Sequence, residues 1–250
     1  MGRESKAAKA QRALRIATGL AEAYPKSTCA LIHNSPFQLL VATVLSAQTT
    51  DLAVNKATRT LFEAYPTPQR LARAPLSAIE GHINGIGLWR AKARNIQALA
   101  QRLEDEYGGQ VPASLPALME LPGVGRKTAT AVLSTAFGLA AGITVDTHMI
   151  RIHRLLRLTQ ATTPEAIASD LEFLLPSKEW LSITHRTIDH GRLVCVANRP
   201  RCGVCPISSH CPSGFSAKAG YNEVNDERQP ASATGLSWLR FQALKSSNGV

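Results

Sequence analysis

Apolar positions recur along this chain at helical spacing, in segments separated by short polar or proline-containing breaks. The spacing predicts a first helix from about Lys9 to Ala23, with Leu14, Ala17 and Leu20 on one side and Tyr24-Pro25 ending it. Ser35-Pro36 opens a second helix with proline in its first turn, and the apolar run to Leu45 is dense enough to be buried on most sides. The polar break from Ser46 to Asp51 has the chemistry to cap a third helix, Val54 to Tyr65. Pro66-Thr67-Pro68 and Ala74-Pro75 read as short connections. A helix with a basic start then follows Gly87, runs to about Tyr107 and stops at Gly108-Gly109. A leucine-spaced stretch from Leu115 to Leu121 precedes an alanine-rich helix from Ala129 to Ala136. Beyond a break at Gly138 to Gly142, helices are expected from Thr147 to Leu158, from Thr163-Pro164-Glu165 onward, and from Ser182 to Val194. No β-hairpin or βαβ pattern occurs, so the expected class is all-α. Residues 1–9 read as a flexible basic tail and residues 213–250 as another, although Trp238, Leu239, Phe241 and Leu244 have the makings of a terminal helix.

Composition sharpens this picture. Aromatics are scarce, at 5%, whereas alanine and leucine are abundant, which favours helix over sheet. A formal charge of +10 points to a polyanionic partner, DNA or RNA, against the plainer alternative of a solvated basic surface. The longest apolar run, Leu39 to Ala47, stops at Gln48, far short of a membrane span. The basic N-terminus has no apolar segment behind it and is not a secretory signal. The expectation is a soluble, cytoplasmic monomer without membrane association. Five cysteines, four of them close together, suggest a metal or cluster site in a reducing compartment, with Cys29 standing apart as a small buried residue.

The most informative stretch is Leu121-Pro122-Gly123-Val124-Gly125-Arg126-Lys127-Thr128-Ala129. Two helical flanks make the Pro-Gly-x-Gly piece a tight connection, and glycine removes side chains from the approach to the backbone. Amides at the start of the second helix point outward with the positive end of its dipole, so Gly123, Gly125 and Arg126 read as a phosphate grip in a helix-hairpin-helix. An ordinary helical turn is the bland alternative. The stretch Gly85-Ile86-Gly87-Leu88-Trp89-Arg90 has the same form and reads equally as a second phosphate-contacting hairpin or as a second turn.

Lys127 lies in the first turn of that helix. A lysine is nucleophilic only when its amine is uncharged. A helix N-terminus disfavours a nearby cation by about 0.3–1 kcal/mol, less than the roughly 1.36 kcal/mol of one pKa unit. Partial burial beside arginines such as Arg126 is therefore expected to supply the rest; the alternative is a solvated lysine on a phosphate. Asp146 ends the apolar Ile143-Thr144-Val145 segment just before a helix start. It reads as an N-cap whose ionised carboxylate can also stabilise a sugar cation or take a proton. His148 is a candidate phosphate contact or a structural histidine.

Cys195, Cys202, Cys205 and Cys211 are separated by six, two and five residues on one loop. A zinc ribbon usually has two Cys-x-x-Cys knuckles, whereas a single loop of four thiols suits a compact four-iron, four-sulfur centre, which the spacing favours over zinc. Arg199 and Arg201, between the first two cysteines, are placed to meet phosphates.

Together these residues resemble the endonuclease III family of DNA glycosylases, in the helix-hairpin-helix superfamily. The likeness spans roughly Ser35 to Cys211 and rests on Ser46-Ala47-Gln48, Gly85 to Leu88, Leu121 to Ala129, Val145 to His148, His190-Gly191-Arg192 and the cysteine loop. It implies two helical lobes with DNA across the cleft. One is a six-helix barrel at 35–144; the other combines 10–34 with 145–212 and holds a [4Fe-4S] cluster on the four cysteines. It further implies that Lys127 attacks C1′ of a flipped oxidised pyrimidine in double-stranded DNA and that Asp146 assists base departure. The resulting Schiff base permits β-elimination, so abasic sites are also substrates. Gln48 and Leu88 match positions that fill the gap left by the extruded nucleotide. A monofunctional mismatch or adenine glycosylase is the nearest alternative, although relatives of that kind typically lack lysine at the position of Lys127. A non-catalytic DNA-binding module is the alternative from another class.

Overall fold

The computed structural model describes residues 4–214, and every regular element in them is helical. The aromatic and leucine cluster expected at 238–244 lies outside the described residues. The first helix, α1 (Lys6–Ala23), starts inside the segment expected to be a tail. Ser5 caps it by accepting the Ala8 amide, and Glu4 pairs with Arg12 at 2.8 Å, so the local hydrogen-bond chemistry extends the helix toward the N-terminus. Thr50, inside the polar break, caps α3 (Asp51–Ala64) and starts it three residues earlier than the apolar pattern suggests.

Two further helices occupy what the sequence presents as connections. α4 (Pro68–Ala72) and α5 (Leu76–Ile83) are short, and their prolines stand at or just before the first helical residue, where proline is tolerated. Both pack on the long α6 (Trp89–Tyr107), which ends, as expected, on a left-handed Gly108. α2 (Pro36–Leu45) runs through the middle of this group with eight of its ten residues buried, and it packs against α8 (Arg126–Phe137), which follows the short α7 (Leu115–Glu120). Together they bury a core that includes Leu40, Leu45, Leu61, Ile79, Ile96 and Leu133.

A second core gathers Ile16 and Leu20 of α1 with Met149 and Ile152 of α9 (Thr147–Leu155), Ile167 and Leu171 of α10 (Pro164–Leu174), Ile183 of α11 (Trp180–Leu193), and Ile207. α9 stops earlier than its apolar spacing suggests because Arg157 takes a left-handed conformation, φ 51°. Arg192 of α11 donates to Asp51 of α3 at 2.8 Å, and Ser27 donates to Asp189 at 2.7 Å, so polar ties join α11 to residues that precede and follow α2.

Candidate active site and cysteine loop

The turn between α7 and α8 is built around Gly123. Its φ of 77° suits glycine, and a Cβ there would stand 3.1–3.2 Å from Asn95 and Val44. Gly125 differs: its backbone is extended, with φ −90°, and a Cβ would meet nothing within 4 Å. The α8 N-terminus has no side-chain cap. Orphan amides, the dipole and an open approach over Gly125 thus converge where an anion would sit.

Lys127 is the second residue of α8, and its side chain is exposed, like that of Arg126. The partial burial expected from the sequence is absent. One short turn beside a glycine-rich loop has too few neighbouring side chains to cover a lysine stem.

Asp146 is half-buried and caps α9, its Oδ1 accepting the Met149 amide at 2.8 Å. Capping thus uses one carboxylate oxygen. His148 packs over Gly191 so closely that a Cβ on that glycine would fall 2.5 Å from Nδ1. Burial holds His148 below the usual histidine range, with Asp146 pulling it back up and Arg151 and Arg192 lowering it further. Nδ1 lies 3.3 Å from Arg151 Nη2, a donor, so the neutral ring has its proton on Nε2. Nε2 is then the ring nitrogen available to a phosphate.

Gln48 and Leu88 share an unexpected feature. Among the described residues only Gln48, Leu88 and Arg157 are non-glycine residues with left-handed backbones, at φ 54°, 59° and 51°. Leu88 is also 66% exposed, and Gln48 is exposed. Strained conformations at two protruding side chains are characteristic of functional loops. The stretch from Gly85 to Leu88 is not a copy of the turn at Gly123. Neither Gly85 nor Gly87 takes a positive φ; Leu88 does, directly before α6.

The cysteine loop is braced from several sides. Arg12 of α1 donates to the carbonyls of Leu156 (2.7 Å) and His210 (3.2 Å), and Gly19 lets α1 approach Ile207, to which a Cβ would stand 3.0 Å away. Arg151 Nη2 donates to Cys195 O at 2.7 Å and Gly191 O at 3.2 Å, which ties the helix capped by Asp146 to the loop. His190 Nδ1 pairs with the Tyr24 hydroxyl at 2.8 Å, while Nε2 lies 3.6 Å from Cys205 Sγ. Burial lowers His190 to about 4, so the ring is neutral. All four loop thiols are half-buried and free of disulfides. Burial is the main reason Cys205 is pushed up to about 11; a backbone hydrogen bond from Ile207 opposes the rise and the charges of Cys195, Cys211 and Cys202 add to it. The four sulfurs thus feel one another, although among the described residues no three His, Cys, Asp or Glu side chains converge on a single-ion site. Arg199 and Arg201 are exposed on the same loop.

With this geometry in view, comparison with known proteins is decisive. A family model for HhH-GPD superfamily base excision DNA repair proteins matches residues 41–177. Endonuclease III of a Synechocystis species is 47% identical over 207 residues, covering 83% of this chain and 94% of the relative. The chain belongs to the endonuclease III family. Endonuclease III of Bacillus subtilis is 42% identical over 196 residues, covering 78% of this chain and 89% of the relative. A trapped endonuclease III–DNA covalent intermediate superposes with a TM-score of 0.78 at 42% identity, covering 84% of this chain and 98% of the other. Base-excision DNA glycosylase and AP lyase activity goes with membership of this endonuclease III family, and the chain is a DNA-binding protein. No helix among the described residues is long and apolar enough to cross a membrane.

Residues that sequence reasoning missed have structural rather than motif signals. Lys92 is buried in the apolar stripe of α6, and its Nζ donates to Ala47 O and Thr49 Oγ1, both at 2.8 Å. A lysine at the register of Ile96, Leu99 and Leu103 is the sequence clue. Arg151 and Tyr24 belong to the same class of brace.

Proposed function

We propose that this endonuclease III-family chain removes oxidised pyrimidines from double-stranded DNA as a cytoplasmic monomer, with Lys127 as nucleophile and Asp146 as the assisting carboxylate. The observation that carries this reading is the position of Lys127, at the mouth of an uncapped helix N-terminus and beside a turn open to phosphate. The backbone amides and Arg126 hold the strand next to the damaged nucleotide, while Gln48 and Leu88 fill the space left when that nucleotide swings out. His148, Arg199 and Arg201 add phosphate contacts.

Lys127 attacks as the uncharged amine, because only that form carries a lone pair. Its lone pair then bonds to C1′ as the C1′–N bond breaks, and the base leaves with that bond's electron pair and gains a proton. The unengaged oxygen of Asp146 faces the positive charge that develops on the sugar. Ring opening gives an imine on Lys127. Loss of a C2′ proton then expels the 3′ phosphate, nicking the strand and leaving an unsaturated sugar on the enzyme until water releases it.

Cys195, Cys202, Cys205 and Cys211 would hold a [4Fe-4S] cluster. The donor set fits: four soft, half-buried thiols share one loop, and burial and neighbouring thiols oppose ionisation of Cys195 and Cys205, which a cluster's positive charge would offset. When bound, the cluster supplies a cross-link that fixes the loop bearing Arg199 and Arg201.

The test is Lys127→Ala on a duplex with one oxidised pyrimidine. DNA binding is expected to survive while nicking disappears. Undiminished nicking would remove Lys127 from the mechanism.

A further inference from the structure

Gln48 and Leu88 stand on different elements, yet a single side chain joins their supports. Lys92 is 5% exposed and lies one turn beyond Leu88, with its amide donating to Leu88 O at 3.0 Å. Its stem runs inward, and its ammonium donates to Ala47 O and to Thr49 Oγ1, the residues on either side of Gln48. Burial disfavours the charged form of a lysine, so its place in an apolar stripe is matched by acceptors that its ammonium reaches. Here it holds a loop whose central residue has a left-handed backbone, φ 54°, and it does so from the helix that begins at the similarly strained Leu88, φ 59°. Within the loop Thr49 N donates to Ser46 O at 3.1 Å and Thr49 Oγ1 to Ala47 O at 3.3 Å, and Lys92 adds the tie to α6.

We propose that Lys92 is a positioning residue for nucleotide extrusion: it locks the Gln48 loop and the Leu88 turn into one rigid pair, spaced to enter the duplex together. This inference rests on the reading that Gln48 and Leu88 fill the vacated space. Lys92 touches no DNA. It keeps both loops in the inserting conformation before DNA arrives, so that the binding energy does not have to order them. A flipped nucleotide is stable only while its place in the stack is filled, and a loosened pair lets the nucleotide return.

Lys92→Met removes both loop hydrogen bonds and keeps most of the stem. The full-length variant would be compared with the parent protein in single-turnover excision of one 5-hydroxyuracil, placed either in a fully paired duplex or in an unpaired bulge that needs no help to extrude. The expected result is a loss of about tenfold or more on the paired duplex and less than about twofold on the bulge, a separation that loose positioning produces and a general structural defect does not. Equal losses on both substrates, or none on either, would overturn the proposal. Thr49→Ser, which keeps the hydroxyl that accepts from Lys92 and donates to Ala47 O, should behave like the parent, whereas Thr49→Val, which deletes both contacts, should show the same selectivity as Lys92→Met and serves if that variant fails to fold. Leu88→Ala run alongside separates the two claims. If Leu88→Ala is selective for the paired lesion while neither Lys92→Met nor Thr49→Val is, the wedge stands and the positioning role falls. If Leu88→Ala is not selective, the wedge reading itself fails.

Discussion

Gly123 and Gly125 sit two residues apart in one turn, but their backbones and surroundings differ. Gly123→Ala places a side chain at φ 77°, costing roughly 1–2 kcal/mol. Its Cβ also meets Asn95 and Val44 at 3.1–3.2 Å, adding about 1–2 kcal/mol of overpacking where two helices meet. Reduced freedom in the unfolded chain offsets only about 0.4–1 kcal/mol. The net loss of roughly 2–3 kcal/mol lowers the melting temperature by about 5–10 °C in a chain of this size. Gly125→Ala meets no such obstacles, because its backbone is extended and its Cβ points into open space. The small entropic gain roughly balances the poorer N-cap, so stability should stay within about 0.5 kcal/mol of the parent. On the proposed reading a phosphate approaches through that open space, so a methyl group there should weaken duplex binding by about tenfold, roughly 1.4 kcal/mol. Thermal unfolding and fluorescence-anisotropy titration with a duplex, run on both variants, give four numbers. A stable Gly123→Ala, or a Gly125→Ala that loses stability but keeps affinity, would refute this division of labour.

Three further outcomes follow from the same geometry. Leu88→Gly removes an exposed side chain and relieves a left-handed backbone, so stability should remain within about 1 kcal/mol while excision from paired duplex falls; a large drop in unfolding midpoint would show that Leu88 is packed, not poised. Burial depresses His153 to about 4 from 6.5, so the folded state holds it neutral while the unfolded chain takes up a proton. Stability from this group is lost as pH falls from about 6.5 toward 4, by up to about 3 kcal/mol, and His153→Leu should remove that part of the slope in denaturant midpoints, whereas coincident slopes would contradict it. Cys205→Ser should leave the purified protein with sharply reduced iron by elemental analysis; full iron content would exclude that thiol as a ligand.

Much of this molecule is legible from residue spacing, and the exceptions have physical causes. The long helices α1 and α6 carry enough turns to show in the sequence, and Thr163 and Gly108 mark a start and an end in the expected way. α4 and α5 are too short to establish a period, and proline at their starts imitates a loop. Gln48 and Leu88 stand out in the sequence only as candidates raised by the resemblance, because nothing in a glutamine or leucine announces a left-handed backbone. The exposure of Lys127 was not legible either. Residue types do not report how many side chains surround the first turn of a helix, and this one leaves Lys127 exposed. Lys92 left a fainter mark, a cation in an apolar stripe, whose meaning depends on a loop more than forty positions earlier in the chain.

The account depends on a covalent bond between one amine and the sugar. Borohydride added during turnover on a duplex with one oxidised pyrimidine should trap a protein–DNA adduct, and mass analysis of its proteolytic fragments should place the modification on Lys127. An adduct carried by another residue, or nicking that proceeds with no trappable adduct, would contradict it.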